Sequence, residues 1–361
     1  MISHNCLPRI MRGFLFLNVS YIISYFKNLR YYITVFPASC GGFFIYCKLN
    51  HPYLCYMQTV LITGGTGMVG KSLTTYLLAK GYKVIVLSRS EKKSSQQHLS
   101  YAIWDIDKQF IDTSALNEAD IIVHLAGESV ASKRWSDKRK QEIIDSRVKS
   151  GALLVKALNE NNHKVKTLIA ASAIGWYGPD TDNSIQNGFS ETDKCDQSYL
   201  GTTCQQWEES VQSVSTLGIR LVTLRIGIVF NKAGGALAEF IKPAKYGVAT
   251  ILGSGKQIVS WIHQDDLCKM ILFAAENQAV NGVYNAVAPH PVNNKHLVNE
   301  IASTMHRFYL TIKVPEFVLK IMLGEMSIEV LKSANVSSNK IESAGFVFDY
   351  PNVKEALKQI L

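Results

Sequence analysis

The sequence predicts an α/β protein built on a doubly wound parallel sheet, with a small C-terminal lobe on the substrate side. Three observations carry this expectation. Residues 60–90, VLITGGTGMVGKSLTTYLLAKGYKVIVLSRS, read as strand, glycine turn, helix and strand. Short apolar runs recur downstream, ADIIVHL at 119–125 and LIAASA at 168–173, with helical patterns between them. No linker, repeat or low-complexity tract divides the chain after residue 56.

The 361 residues suffice for one large domain or two ordinary ones. The 38 basic and 29 acidic residues give a formal charge of +9, unevenly spread. Residues 1–56 hold Arg9, Arg12, Lys27, Arg30 and Lys48 and no acid, so the body is far closer to neutral. It has no basic run interleaved with aromatics, which excludes a nucleic-acid surface. Four of seven cysteines (Cys6, Cys40, Cys47, Cys55) fall in the same segment, and the others show no CxxC spacing. That usage fits a reducing, cytoplasmic compartment. No two histidines stand at ligand spacing, so no metal is expected, and no GxSxG elbow supports a serine hydrolase.

The first 56 residues differ from everything after them. The apolar run Gly13–Phe26 has 14 residues, short of the roughly 20 that span a bilayer. A second run, YYITVFPASCGGFFIYC, is broken by Pro37 and by Gly41-Gly42. This extension reads as a removed targeting segment, an anchor, or a start-site artefact, because MQTVLITGGTG, from Met57, is a natural beginning for a nucleotide-binding fold. Membrane association is expected only if the segment is retained as an anchor.

In the first βαβ unit, strand Val60–Thr63 leads into Gly64-Gly65-Thr66-Gly67-Met68-Val69-Gly70, a helix over Lys71–Lys80 follows, Gly81 stops it, and Lys83–Leu87 is the next strand. Gly64 allows the tight turn, Gly67 lets the backbone approach a pyrophosphate, and Gly70 lets the helix pack closely. The helix N-terminus offers N–H groups to the anion. Thr63, Gly64, Gly67, Met68, Val69 and Gly70 are therefore cofactor-binding candidates on a Rossmann-type fold. ADIIVHL ends in Ala126-Gly127, small residues that would let a cofactor cross the sheet edge.

The GxxGxxG spacing resembles the short-chain dehydrogenase/reductase superfamily, in its extended, epimerase-like branch. Members that prefer NAD place an acid after the second strand, where this chain has Ser88-Arg89-Ser90. Arg89 can pair with a 2′-phosphate that an acid would repel, so NADP(H) is expected over NAD(H). Asp105 is either an adenine contact or a turn aspartate.

LIAASAIGWYG (168–178) resembles the SSxxxYG segment of the extended reductases, with Ser172, Tyr177 and Gly178 in matching places and Ala173 where the catalytic Ser or Thr usually stands. Tyr199, 27 residues after Ser172, matches the tyrosine of the YxxxK pair, but Thr203 stands where the lysine should. Without that charge, a tyrosine near its reference pKa of about 10 is roughly 0.1% phenolate at pH 7. It is a poor base but starts in the form that donates a proton, which favours reduction. Tyr199, Tyr177 and Ser172 are the catalytic candidates; the alternative for Tyr199 is an ordinary amphipathic helix position.

The resemblance is most specific in LAGESVASKRWSDKRKQEIIDSRVKSGALL (125–154), CQQWEES (204–210) and LRIGIVFNKAGGALAEFIKPAKYGVATILGSGKQIVSWIHQDDL (224–267). These segments and the C-terminal run look like the subgroup labelled epimerase family protein, which carries a C-terminal domain of unknown function. The resemblance covers residues 57–361, and that subgroup typically lacks the complete YxxxK pair. Its recurring polar positions fall on Glu128, Lys133, Arg134, Trp135, Arg147, Trp207, Glu208, Gln257, Trp261, His263 and Asp266. Glu128, Arg134 and Arg147 are the substrate-binding candidates, since an arginine fork suits a carboxylate or phosphate. The alternative is helix ion pairing, Arg134 with Asp137 or Arg147 with Asp145. Arg225 and His263 more often anchor loops in this branch than react.

Beyond these motifs, Asp265–Gln278 reads as a helix and GVYNAVAP (282–289) as a strand. A cofactor-binding domain over 57–290 and a helical lobe over 291–361 are expected, the lobe comprising Asn294–His306, Phe317–Leu323 and Ile328–Leu331 with Met322 and Met326 as core filler. The leading function is an NADP(H)-dependent oxidoreductase acting on a small polar carbonyl compound. The competing one is a non-catalytic NADP(H)-binding regulator or scaffold, since some relatives are linked to cell or plastid division. A homodimer through two long helices of the second half is a further possibility left open by the sequence.

Overall fold

The computed structural model describes residues 57–361 except Ala233 and Arg307, and, separately, an antiparallel pair of strands, Tyr32–Pro37 with Phe43–Lys48. The run Gly13–Phe26, and the targeting or anchoring role attached to it, lies outside the described residues, as do Cys6, Cys40 and Cys55. Among the described residues no helix is long and apolar enough to cross a membrane.

The first unit forms as its pattern requires. Thr59–Thr63 (β1) is buried along its whole length, and Met68–Ala79 (α1) follows the glycine turn. This helix starts three residues before Lys71, because Gly67 is already its N-cap in extended conformation. Lys83–Ser88 (β2), Leu99–Asp105 (β3) and the short Phe110–Ile111 (β4) carry the chain to one edge of the sheet. Ile121–His124 (β5) then returns to the other side of β1. Asp137–Glu160 (α2), Thr167–Ala173 (β6), Tyr199–Gln212 (α3) and Arg220–Ile226 (β7) continue outward.

After Val248–Leu252 (β8) and Gln264–Glu276 (α4), Gly282–Ala286 (β9) completes an eight-stranded sheet of order β9-β7-β6-β5-β1-β2-β3-β4. All neighbours are parallel except β3 with β4. This is the predicted doubly wound sheet, and its strand order reverses between β1 and β5.

Alternation along the strands sends side chains to both faces. Val60, Ile62, Val84 and Val86 pack under α1 and α4, with Leu73, Leu77, Leu267 and Ile271. Leu61, Ile85, Leu87 and Ile122 meet α2 and α3 through Leu153, Leu154 and Val211. Residues buried on both faces explain the nearly continuous apolar runs in the sequence.

The smaller lobe carries Asn294–Met305 (α5), Leu310–Val314 (β10, paired with β8), Glu316–Leu323 (α6), Ser327–Leu331 (α7) and Val353–Ile360 (α8). Leu357 and Ile360 of α8 share a core with Phe230, Trp261, Leu297 and Ile301. Fully buried Asp266 on α4 holds the C-terminal segment by accepting from the Asp349 and Tyr350 N–H groups at 2.8 and 2.9 Å.

The expectation for the methionines fails. Met322 is 66% exposed and Met326 is only half-buried. Helix α6 is apolar apart from Glu316 and Lys320, yet Leu319 is its one buried residue, so Phe317, Ile321 and Met322 are exposed.

The ends of β1 and β5 are fastened by a polar chain. Thr63 Oγ1 accepts from the Leu125 and Ala126 N–H groups (3.1 and 3.2 Å), so its proton goes to His124 Nδ1 at 2.7 Å. The imidazole therefore carries its hydrogen on Nε2, which faces Ser150 Oγ at 3.4 Å, and Ser150 donates onward to the Arg147 carbonyl at 2.9 Å. Burial pushes the His124 pKa down from 6.5 to about 4. As pH falls through that window, the unfolded chain binds a proton that the folded chain refuses. Stability is therefore complete above pH 6.5 and declines toward pH 4, by up to about 3 kcal/mol. Urea unfolding at a series of pH values should show a shallower acid slope in His124→Gln than in the unmodified protein. Equal slopes would mean that His124 is not held neutral.

Candidate functional site

The strand reversal leaves a crevice at the C-terminal ends of β1 and β5, where open α/β sheets bind ligands. Its floor is the turn into α1. Gly64 has φ +69°, and a Cβ there would lie 2.7 Å from the Leu125 carbonyl oxygen. A Cβ on Gly70 would lie 2.3 Å from the Gly64 oxygen, so only glycine lets the helix start this close to its own turn. The Gly67 N–H closes the turn onto Gly64 O at 3.0 Å, and Lys71 N–H makes the bond back to Gly67 O. The N–H groups of Met68, Val69 and Gly70 precede any intrahelical acceptor, and no acid stands in the first turn. This arrangement fits a pyrophosphate. The Thr63 hydroxyl is engaged in fastening β1 to β5.

Beyond β2, Arg89 is exposed, while buried Ser88 and exposed Ser90 flank it. At the end of β3, the Asp105 carboxylate closes its own turn. It accepts from the Asp107 and Lys108 N–H groups at 3.1 Å and pairs with the Lys108 ammonium at 3.4 Å, and the Lys108 N–H leads in holding its pKa down. Of the two readings left open for Asp105, the turn aspartate is the one these contacts describe.

Beyond β5, Ala126 is buried and Gly127 is exposed directly over the Arg147 guanidinium: a Cβ on Gly127 would lie 3.1 Å from Arg147 Cζ. Arg147 comes from α2 and is 9% exposed, with its Cζ 4.9 Å from the centre of the Trp207 ring. Neither helix ion pair considered from the sequence forms. Asp145 pairs with Lys149 at 2.7 Å, and Asp137 pairs with Lys140 at 3.3 Å. Arg134 precedes α2 and is exposed beside Gly324 in the lobe.

The Glu128 carboxylate meets Arg139 at 3.2 Å. Arg139 was not singled out by the sequence. It is 7% exposed and also holds Glu142 (3.0 Å), the Ser129 carbonyl (2.8 Å) and Ser132 Oγ (3.1 Å), so it shapes the loop after β5. The i,i+3 spacing of Arg139 and Glu142 was the available signal.

The three catalytic candidates are not brought together. Ser172 donates to Glu208 Oε1 at 2.6 Å. Glu208 is clamped by Arg225 through Nε at 2.9 Å and Nη2 at 3.1 Å. Arg225 Nη1 donates to the Tyr177 hydroxyl at 3.1 Å, and that hydroxyl donates to Asn285 Oδ1 at 2.7 Å. Tyr177 is fully buried and stacked on Phe189, and burial pushes its pKa up to about 12.

Tyr199 opens α3 at a distance from this cluster. Its hydroxyl donates to the Lys140 carbonyl at 3.0 Å, and its ring meets Trp135 edge-on at 4.9 Å. Burial raises its pKa, so it stays a phenol at neutral pH. Thr203 is buried and donates to the Tyr199 carbonyl at 2.6 Å.

Residues 60–286 match the NAD dependent epimerase/dehydratase family, and residues 314–360 match a domain of unknown function, DUF1731. The chain belongs to the NAD-dependent epimerase/dehydratase family. It is 35% identical over 305 residues to the epimerase family protein YfhF of Bacillus subtilis, covering 84% of this chain and 98% of that one. It is 36% identical to the epimerase family protein SH2119 of Staphylococcus haemolyticus, covering 84% and 99%.

Among solved structures, it is similar to the human epimerase family protein SDR39U1 in complex with NADPH. The TM-score is 0.74 at 26% identity, over 84% of this chain and 99% of that one. The UDP-glucose 4-epimerase of Thermotoga maritima shares the fold, with a TM-score of 0.69 at 18% identity over 84% and 97% of the two chains. The family accounts for the sheet order and the glycine turn.

The Ser172–Glu208–Arg225–Tyr177 cluster is buried and internally paired, the arrangement of a scaffold. Removing one partner of a buried ion pair leaves an uncompensated charge and costs about 3–5 kcal/mol. Losing one neutral hydrogen bond costs about 1 kcal/mol. Chemical denaturation should therefore show Glu208→Ala strongly destabilised and Tyr199→Phe only slightly. Comparable small losses in both would contradict the scaffold assignment.

Proposed function

We propose that the protein is an NADP(H)-dependent oxidoreductase that reduces a small polar carbonyl compound. The observation that carries this reading is the acid-free N-terminus of α1 in the crevice, with Arg89 rather than an acid just beyond β2. The cradle suits the pyrophosphate, and Arg89 suits a 2′-phosphate. The NADPH complex of the similar human protein supports the same cofactor choice.

Bound NADPH would supply a hydride. Tyr199 is the hydroxyl best suited to return a proton, because it is half-buried and stays protonated, whereas Tyr177 and Ser172 are held in the Arg225–Glu208 cluster. Tyr199 must first release the Lys140 carbonyl. Glu128 on the loop after β5 and Arg134 beside the lobe would orient a polar substrate between them.

A second reading, a non-catalytic NADP(H)-binding regulator, is favoured by one observation. All three candidate hydroxyls donate to protein acceptors: Glu208, Asn285 and the Lys140 carbonyl.

Two experiments test these readings. Arg89→Ala should weaken NADPH binding about tenfold or more, the size of a lost charge-assisted contact, and leave NADH binding unchanged. Equal effects on both cofactors would remove the 2′-phosphate role. Incubation with NADPH deuterated on either face of nicotinamide C4, in a metabolite extract, should yield a labelled product by mass spectrometry. Tight binding with no label in any metabolite would favour the regulator.

A further inference from the structure

Helices α2 and α3 lie side by side and run in the same direction. Contacts mark successive rungs: the Tyr199 hydroxyl on the Lys140 carbonyl (3.0 Å), Arg147 over Trp207 (4.9 Å), and Gly151 against Ser210. At the last rung a Cβ on Gly151 would lie 2.2 Å from Ser210 Oγ, so the Ser210 side chain occupies the space that glycine leaves. Helical side chains lean toward the N-terminus of their helix. Arg147 does so, its Nη1 donating one turn back to the Ile143 carbonyl at 3.0 Å. Its guanidinium therefore lies between the Tyr199 and Trp207 rungs, within electrostatic reach of Tyr199 and Cys204.

That charge is in no ion pair: Glu128, the acid that acts on it, is committed to Arg139 at 3.2 Å. Among the described residues, no Asp or Glu forms an ion pair with Arg147, and its Nε and Nη2 have no hydrogen-bond acceptor. The guanidinium is 9% exposed, and Nε and Nη2 keep the solvent contact through which an acceptor from outside the chain can reach them. Trp207, 7% exposed, adds a buried indole N–H that also lacks an acceptor. Lys140, the other cation near Tyr199, is already committed to Glu325 at 2.9 Å and Asp137 at 3.3 Å. The missing side chain of Gly127 leaves the guanidinium open toward the end of β5.

We infer that Arg147 holds the nicotinamide-side phosphate and ribose of the dinucleotide, supplying from α2 the positive charge that Thr203 leaves off α3. This rests on the NADP(H) reading above and changes the part assigned to Arg147 from substrate to cofactor. The two ends of the crevice decide which half of the dinucleotide it meets. Arg89 lies beyond β2, two strands and about 10 Å from β5 across the sheet. The α1 N-terminus stands between them. A dinucleotide with its 2′-phosphate at Arg89 and its pyrophosphate over α1 brings its other ribose to the β5 side, where Arg147 lies under Gly127. Arg147 is thereby a positioning residue for the nicotinamide half.

The test uses the full chain and two ligands, NADPH and adenosine 2′,5′-bisphosphate, which lacks the nicotinamide half. Calorimetry on Arg147→Gln should show NADPH binding weakened about tenfold or more, with the bisphosphate bound as in the unmodified protein. Arg147→Lys, which keeps the charge and loses the fork, should fall between the two for NADPH. Unchanged NADPH affinity in Arg147→Gln would overturn the inference, and so would equal loss of both ligands, which would place Arg147 in the scaffold. If the unmodified chain bound neither ligand, the cofactor reading itself would fall and this inference with it.

Discussion

The backbone of Gly64 passes so close to the Leu125 carbonyl that a Cβ would stand 2.7 Å from it, and the rest of the crevice follows from that approach. It fixes β1 and β5 as neighbours at the point where the sheet reverses, and it sets the direction in which α1 leaves its turn. The Thr63–His124–Ser150 chain then fastens the two strand ends with hydrogen bonds made without any charge. Burial keeps the imidazole neutral, so the junction needs no counter-ion beneath an anion-binding turn. The N–H groups at the start of α1 face no acid of their own first turn.

Positive charge beside this junction comes from side chains with unlike obligations. Arg225 is held by Glu208 and Tyr177, and Arg139 is ion-paired with Glu128 and Glu142 although its buried Nε has no acceptor. Both stabilise loops, and both would lose stability if redirected to a substrate. Arg147 lacks such partners and is buried against the open side of Gly127. Nearly equal burial thus goes with different pairing: two of these arginines are in ion pairs and Arg147 is in none. The same contrast divides the tyrosines. Tyr177 is sealed inside an ion-pair cluster, whereas a single carbonyl holds Tyr199.

Much of this was legible in the sequence. The glycine turn, strand β1 and the apolar runs of β5 and β6 follow from periodicity and turn chemistry, which act over a few residues. The start of α1 was misplaced because capping by Gly67 leaves no side-chain signal. Partners across the sheet could not be read. Nothing in LIAASAIGWYG announces that Ser172 meets a glutamate 36 residues later, or that Tyr177 meets an asparagine 108 residues later. Met322 was misjudged for a related reason: an apolar helix signals burial only if another element covers it, and α6 is covered on Leu319 alone. Arg139 carries no local signal for its role, because Glu128, Ser129 and Ser132 meet it only through the path of the loop after β5.

The claim on which all of this turns is that a dinucleotide occupies the β1–β5 crevice. Hydrogen–deuterium exchange of the full chain with and without NADPH tests it most directly. The expected result is slowed exchange confined to peptides containing Gly64–Gly70 and Ala126–Glu128. A groove of about 640 Å³ on the small lobe, lined by Lys256, Lys295 and Lys313, shares none of these residues. Protection at that groove with none at Gly64–Gly70, or no protection anywhere, would contradict the claim.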